Sequence, residues 1–313
     1  MQLLLYSAML GCVTPMTRCA AVLSGKPIFL SPFESRDEAD RKKMSFANGK
    51  SDALTMLRAF QAWIDVKEQQ GNRAATDFAK NSFLSLSGLE TALQLADSYY
   101  KGLEEIGFAA PLRRGRGGGG GGGNAAEAEL RRLQDDQSEQ SAVLSAVLTA
   151  SLYPNVLAVD APSDVYAKVA NGAVPVEQDS KLFKFFQRSR DGNRERVFLH
   201  PRSVNFKTQS FESPWLVYLS MQHTDRTYVH DTAVAMPYPL MLFGRSLDTD
   251  LEKGIVVIDK VSAAASAASG CPSLGRDGRW RGVLTPCVCV CVCVFPVDPF
   301  QVPSENCGAR SCA

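Results

Sequence analysis

The apolar positions of this chain recur with two different periods, and the period changes near Pro154. From Ser51 to Gly71, Leu54, Leu57, Phe60, Trp63 and Ile64 fall three and four residues apart, the spacing that lines one face of a helix. Ser51 or Asp52 can cap its start, because a short side chain ending in oxygen accepts from the free N–H groups of a first turn. A second helix is predicted from Ser87, which forms an S-x-x-E capping pair with Glu90, through Leu89, Leu93, Ala96, Tyr100 and Leu103 to Gly107. A third is predicted from about Ala125 to Leu152, with Leu130, Leu133, Val143, Leu144, Val147 and Leu148 inward and Arg131, Asp135 and Asp136 outward. After Pro154 the runs are short and β-rich: Val156 to Val159, Leu182 to Phe186, Glu195 to Leu199, Trp215 to Met221, Thr227 to His230 and Gly254 to Ile258.

These patterns predict an α+β chain, with a helical bundle over residues 1–153 and an antiparallel β-barrel, of which the OB type is one candidate, over residues 154–260. At 313 residues and 45% hydrophobic content, two modest cores are affordable. Between the second and third helices, Arg113-Arg114-Gly115-Arg116 precedes the seven glycines Gly117 to Gly123, so residues 113–124 read as a flexible surface insertion. With three arginines and no interleaved aromatic, an RGG-type RNA contact there ranks below an expanded loop. Residues 261–313 change again, to Ala-Ser repeats and then alternating Cys and Val from Cys287 to Val294. A TG-dinucleotide repeat read in frame produces that alternation, so the tail reads as low-complexity sequence, disordered or mistranslated. As a strand it would place every Cys on one face, where a soft metal could bind, but without histidines or a second cluster no metal site is expected.

A formal net charge of +1 gives no whole-molecule case for a polyanionic partner. Of nine cysteines, Cys12 and Cys19 lie near the start and seven lie between Cys271 and Cys312, so no disulfide framework spans the middle. That distribution suits a reducing intracellular compartment, nucleus or cytoplasm. The apolar start, Leu3 to Val13, lacks a preceding Lys or Arg and is interrupted by Ser7 and Gly11, so it is expected to be a core helix and not a secretion signal; no stretch is long enough to span a membrane.

Two short motifs suggest a nucleotide site and then fail on context. Asp37-Glu38-Ala39-Asp40 spells a DEAD box and Gly49-Lys50-Ser51 the end of a Walker A loop. A phosphate loop needs an earlier glycine where Met44 stands, and a buried strand before it, where Arg41, Lys42 and Lys43 stand. The acidic motif reads as a solvated helix face, with Glu38–Lys42 and Asp40–Lys43 pairs.

Longer stretches carry a resemblance. Leu10 to Pro15 followed by Ala20 to Phe33, then Asp52-Ala53-Leu54-Thr55-Met56-Leu57-Arg58-Ala59-Phe60-Gln61-Ala62-Trp63 and Asn81 to Ser85 are similar, in order, to the helicase-associated ratchet domain of DEAH/RHA-type ATP-dependent RNA helicases, and Ala146 to Asn155 resembles the helix that enters that family's OB-like domain. Val197-Phe198-Leu199-His200-Pro201-Arg202-Ser203-Val204-Asn205-Phe206, with Trp215 to Tyr218 and Tyr228 to Asp231, resembles the OB-like domain that follows it. The resemblance implies a C-terminal auxiliary region that grips single-stranded or structured RNA, or DNA, beside RecA-like motor domains. Those motors, with their ATP and magnesium, have no counterpart in the 313 residues, so the chain reads as a fragment or incomplete gene model with no cofactor of its own. A free-standing RNA-binding or adaptor protein is the alternative. Because the family continues beyond Asp259 with a further strand segment, the barrel is expected to lack its closing edge.

Within the OB-like region the residues themselves point to a polyanion. Lys181, Lys184, Arg188, Arg190, Arg194, Arg196, Arg202 and Lys207 outnumber Asp191 and Glu195, and Phe183, Phe185, Phe186, Phe198, Phe206 and Phe211 are interleaved. Cations with ring platforms suit a single strand, although most of the phenylalanines are expected in the core. The candidate nucleic-acid-binding residues are Arg196, His200, Arg202, Ser203, Asn205, Lys207 and Thr208, whose polar groups could bond phosphate and 2′-hydroxyl oxygens; a structural turn is the competing reading for Ser203 and Asn205. No catalytic residue is identified: His200, His223 and His230 form neither a triad nor a metal spacing.

Overall fold

A computed structural model describes residues 1–47, 49–111, 133, 135–136, 140–161, 166–169, 172–175, 182–188, 193–244, 247–250, 255–258, 273–274 and 280–281. The glycine run and the Cys-Val repeat lie outside these residues. Helices come first: α1 (Gln2–Met9), α2 (Val13–Ser24), α3 (Arg36–Ser45), α4 (Asp52–Asn81), α5 (Leu86–Glu105) and α6 (Ser141–Leu152). Strands follow: β1 (Val156–Asp160), the hairpin β2 (Tyr166–Val169) and β3 (Gly172–Pro175), then β4 (Lys184–Arg188), β5 (Arg194–Leu199), β6 (Trp215–His223) and β7 (Thr227–Val234). A short helix α7 (Pro237–Phe243) and the hairpin β8 (Leu247–Asp250) and β9 (Ile255–Ile258) complete the unit Met1–Ala264; β10 (Ser273–Leu274) and β11 (Trp280–Arg281) pair within a separate unit.

The predicted helical stripes are the core. Leu54, Leu57, Phe60, Trp63 and Ile64 of α4 are all buried, as are Leu89, Ala96, Tyr100 and Leu103 of α5 and Leu144, Val147 and Leu148 of α6. Phe60 and Trp63 stack at 6.1 Å among Ala21, Ile28 and Leu89, so one helix face joins α2, α4 and α5. Each fully buried side chain of this size contributes about 1.5–3 kcal/mol relative to exposure. The apolar start of the chain does pack as core, with Cys12, Met16 and Cys19 against Leu54 and Leu148.

Three local expectations are corrected. The cap of α5 is Ser85, whose Oγ accepts from Gly88 N at 3.2 Å, so Ser87 lies inside the helix. Leu133 is exposed and not inward. In α3, Asp40 pairs with Lys207 at 3.3 Å and Lys43 reaches Asp52 at 3.6 Å, so neither of these two side chains is left for the pair along the helix face. Helix α4 also breaks where its periodic pattern ends: Gly71 has φ +85° and ψ 179°, a conformation almost confined to glycine.

The barrel closes in the order β1-β4-β5-β7-β6 and back to β1, through Val156–Val217 pairing, so it needs no strand beyond residue 258. The expected missing edge is therefore not missing. One neighbour pair, β5 and β7, is parallel, which makes the barrel mixed and not purely antiparallel. Leu157, Val159, Phe183, Phe185, Val197, Leu199, Leu216, Tyr218, Val229 and Val234 fill it. The other side of β6 is also covered: Trp215 and Val217 pack with Leu152 of α6 and Leu240 of α7. No helix of the described residues is long and apolar enough to cross a membrane.

Helix propensity alone predicts that Gly71→Ala stabilises α4, whereas the positive φ predicts the reverse. We expect a loss of about 1–3 kcal/mol, read as a lowered midpoint in thermal or urea unfolding; a raised midpoint would show that the break is not required.

Candidate nucleic-acid interface

Strand alternation sorts β5 into two faces. Val197 and Leu199 point into the barrel, so Arg194, Arg196 and Phe198 point out, and His200 follows them at the end of the strand. Phe183, just before β4, and Phe185 on it are core, and Phe186 faces out opposite Arg196. Each outward ring carries cations: the Arg194 guanidinium lies 4.5 Å from the Phe186 centroid, and those of Arg196 and Arg226 each lie 5.1 Å from that of Phe198. Arg194 also pairs with Asp160 at 3.0 Å.

The ring surface continues onto β7. Phe198 and Tyr228 are 6.1 Å apart, Tyr228 and His200 6.3 Å, and His200 stacks on His230 at 4.2 Å. Val229 and Val234 both line the barrel core although their odd spacing would put them on opposite faces of a regular strand. Asp231, with φ +53°, falls between them and resets the alternation. Aspartate tolerates that backbone region better than most residues do. Ordinary alternation puts Tyr228 and His230 in the outer row with Val229 in the core, and the reset then returns Val234 to the core.

Ser203 and Asn205 sit elsewhere. The Asp52 carboxylate, 2% exposed at the first turn of α4, accepts from Ser203 Oγ at 2.5 Å, Val204 N at 2.8 Å, Thr232 N at 3.0 Å and Thr232 Oγ1 at 3.3 Å. Asn205, 1% exposed, donates from Nδ2 to Lys50 O and Thr232 Oγ1, both at 2.9 Å. Ser203 Oγ and Asn205 Nδ2 are therefore taken up in joining the helices to the barrel, the role of a structural turn and not of a group displayed to a nucleic acid, while Asn205 Oδ1 is buried without a hydrogen-bond partner among the described residues. Thr208 is half-buried, its hydroxyl donating to Val204 O at 3.4 Å. Arg196, Arg202 and Lys207 are exposed and His200 is half-buried, so the structure brings His200 and Arg196 to the ring row, and Arg202 and Lys207 to the turn beside α3. Phe206 is exposed, 43% of its surface. Of the wider basic cluster, Lys181, Arg190 and the Arg188 side chain lie outside the described residues.

The joint also consumes the Walker-like letters. Ser51 caps α4, accepting from Leu54 N at 3.3 Å, while Lys50 donates to Ser210 O at 2.9 Å and lies 3.6 Å from Glu212. These residues do not fit a phosphate loop. Asp37 and Glu38 occupy the first turn of α3, where negative charge suits the helix dipole.

Sequence reasoning missed Arg226, Tyr228 and His230 as site residues, and Asp52 as the joint. A strand-by-strand reading of alternation could have flagged Arg194, Arg196 and Phe198 as one face. The link to Tyr228 needs the parallel pairing of β5 with β7, which no local pattern announces.

Comparison with known proteins agrees with this architecture. A family described as helicase associated domain (HA2), ratchet-like, matches residues 2–56, and one described as oligonucleotide/oligosaccharide-binding (OB)-fold matches residues 144–247. DHX57 of Homo sapiens is 33% identical over 266 residues, covering 82% of this chain and 18% of that protein. The ATP-dependent RNA helicase DHX29 of Homo sapiens is 27% identical over 258 residues, 82% of this chain and 17% of its own length. The ATP-dependent DNA/RNA helicase DHX36 of Bos taurus is 27% identical over 266 residues, 83% and 23% respectively. The chain thus spans less than a quarter of the length of these relatives.

Two outcomes follow from the geometry. Asp52→Ala removes a buried carboxylate and strands the amides of Val204 and Thr232, so unfolding free energy should fall by about 3–5 kcal/mol in urea titration; a loss below about 1 kcal/mol would contradict the joint. Burial, then His230, Arg202 and Lys43, hold the His200 imidazole below its ordinary 6.5, against a smaller opposing pull from Asp52. The folded chain then takes up fewer protons than the unfolded chain just below 6.5, so this contribution to stability is complete above 6.5 and is lost as pH falls towards the depressed value. His200→Gln should flatten the decline of the melting temperature between about pH 7 and about pH 5; an unchanged slope would contradict the assignment.

Proposed function

This chain carries the helicase-associated ratchet-like and OB-fold modules of DEAH-type RNA helicases, and from that premise we propose that it is the C-terminal auxiliary region of such a helicase and grips single-stranded RNA on the outer face of β4 and β5. The observation that carries the reading is the set of half-exposed rings, Phe186 and Phe198, each flanked by arginine. In the OB barrel order these are its second and third strands, the face on which such barrels hold oligonucleotides. A ring offers any base a stacking surface and a guanidinium offers the phosphates a counter-charge, so the grip is tolerant of sequence. The near-zero net charge is no obstacle, because the positive charge is concentrated where the rings are.

In this reading ATP and magnesium belong to RecA-like motor domains, which are this region's partners and drive unwinding while it holds the strand. DNA is a second possible ligand, since rings and guanidiniums do not discriminate by the 2′-hydroxyl. The thiols of Cys12 and Cys19 are free and buried, and burial pushes both up to about 12, which keeps them unreactive and suits an intracellular setting.

Fluorescence anisotropy of the full chain with single-stranded RNA tests the proposal. Affinity should fall steeply with salt. Phe198→Ala should weaken binding about five- to 150-fold, the equivalent of one lost stacked base. Unchanged affinity in both Phe198→Ala and Arg196→Glu/Arg226→Glu would overturn it. With ATP and RNA, phosphate release by the full chain should not exceed buffer.

A further inference from the structure

Beyond the His200 end of the ring row lies a cleft that the strands alone do not form. The 29–31 segment, α3 and the turn after β5 enclose it, with Phe29, Leu30 and Pro201 as its apolar lining. Arg36, Lys43 and Arg202 bring positive charge to it, and Asp40 brings the only negative charge. Asp40 is already answered by Lys207 at 3.3 Å, and Lys43 is shared with the buried Asp52 at 3.6 Å. Arg202 donates to the Phe29 carbonyl at 3.3 Å, and neither Arg36 nor Arg202 has a carboxylate partner among the described residues. Two guanidiniums therefore face one cleft without an anion to balance them. A cleft with low-dielectric walls concentrates such a field.

The cleft is continuous with the ring row. His200 accepts from the Arg202 backbone N–H at 3.2 Å through Nδ1, and it stacks on His230 next to Tyr228. A strand whose bases lie on Phe198, Tyr228 and the histidine pair would carry its backbone past Pro201 into the cations. The forked N–H groups of guanidinium match the oxygens of a phosphate in pairs, which a carbonyl partner does not exploit.

We propose that this cleft between α3 and the 201–202 turn is a phosphate clamp, taking one internal phosphodiester of the single strand held on the barrel. The proposal rests on the platform reading above. It gives the ratchet-like region, through Arg36, a direct share in the grip, so that the strand is held at once by the barrel and by the helices. Lys43 tunes the clamp and also belongs to the joint, so it is not the residue to change.

A scan with single uncharged methylphosphonate linkages along a uridine oligonucleotide tests it, using the full chain and an Arg36→Gln/Arg202→Gln variant whose melting temperature matches the parent. In the parent, one linkage position should weaken binding when neutralised. In the variant that cost should vanish, and the salt slope should become less negative by about 0.7 for the one lost phosphate contact. Inorganic phosphate, matched in ionic strength by chloride, should not displace the strand; if it does so selectively, the cleft is a free-anion site and the strand assignment fails. Binding by the parent with no linkage position whose cost depends on Arg36 and Arg202 overturns the clamp alone. Loss of binding in Phe198→Ala with the coupling intact in the parent leaves both readings standing, whereas no binding by the parent at all sinks the platform and the clamp with it.

Discussion

A carboxylate buried to 2% exposure fixes how the two halves of the unit meet. Asp52 begins α4, and its oxygens receive four donors from the turn after β5 and from β7, with the Lys43 ammonium nearby. Burying an ion is costly unless its lone pairs are filled, and here the fillers come from parts of the chain more than 150 residues away. The arrangement is therefore specific: a slip of β7 by one residue would remove the Thr232 amide and leave charge unpaired. Lys50 O, accepting from Asn205, adds a second tie beside the first.

That joint has consequences for the exposed face. By holding the 203–205 turn and the Thr232 end of β7, it sets where Arg202 and His200 emerge at one end and how Asp231 turns the strand. Tyr228 and His230 then project beside Phe198 and His200, forming one surface from two strands that are parallel and far apart in sequence. The polar residues of the 200–208 stretch divide accordingly. Those pointing inward hold the halves together, and of those pointing outward, Arg202 reaches the Phe29 carbonyl and Lys207 reaches Asp40 of α3.

The helices and strands were legible because burial imposes periodicity, and every residue named on the α4 stripe proved buried. The six strand runs were also found in place, since β-rich runs between turn residues leave little choice. What was not legible was the partner of each polar side chain. Asp52 next to Ser51 looks like one more capping residue, and only the fold reveals that Ser51 caps while Asp52 reaches across to the barrel. Likewise, Asn205 and Ser203 look like Lys207 on a polar loop, because amide and hydroxyl groups carry no mark of which side of a turn they occupy. The ring face was partly visible in the alternation of Arg196, Val197, Phe198 and Leu199, but its extension to Tyr228 depends on barrel closure.

The central claim is that a single strand lies on the barrel's outer rings and not on the arginine-glycine segment at 113–123. Photocrosslinking of the full chain with RNA carrying 4-thiouridine, read by mass spectrometry, decides this most directly. The account predicts adducts on peptides containing Phe198, His200 and Tyr228. Adducts confined to the peptide spanning Arg113 to Arg116 would contradict it.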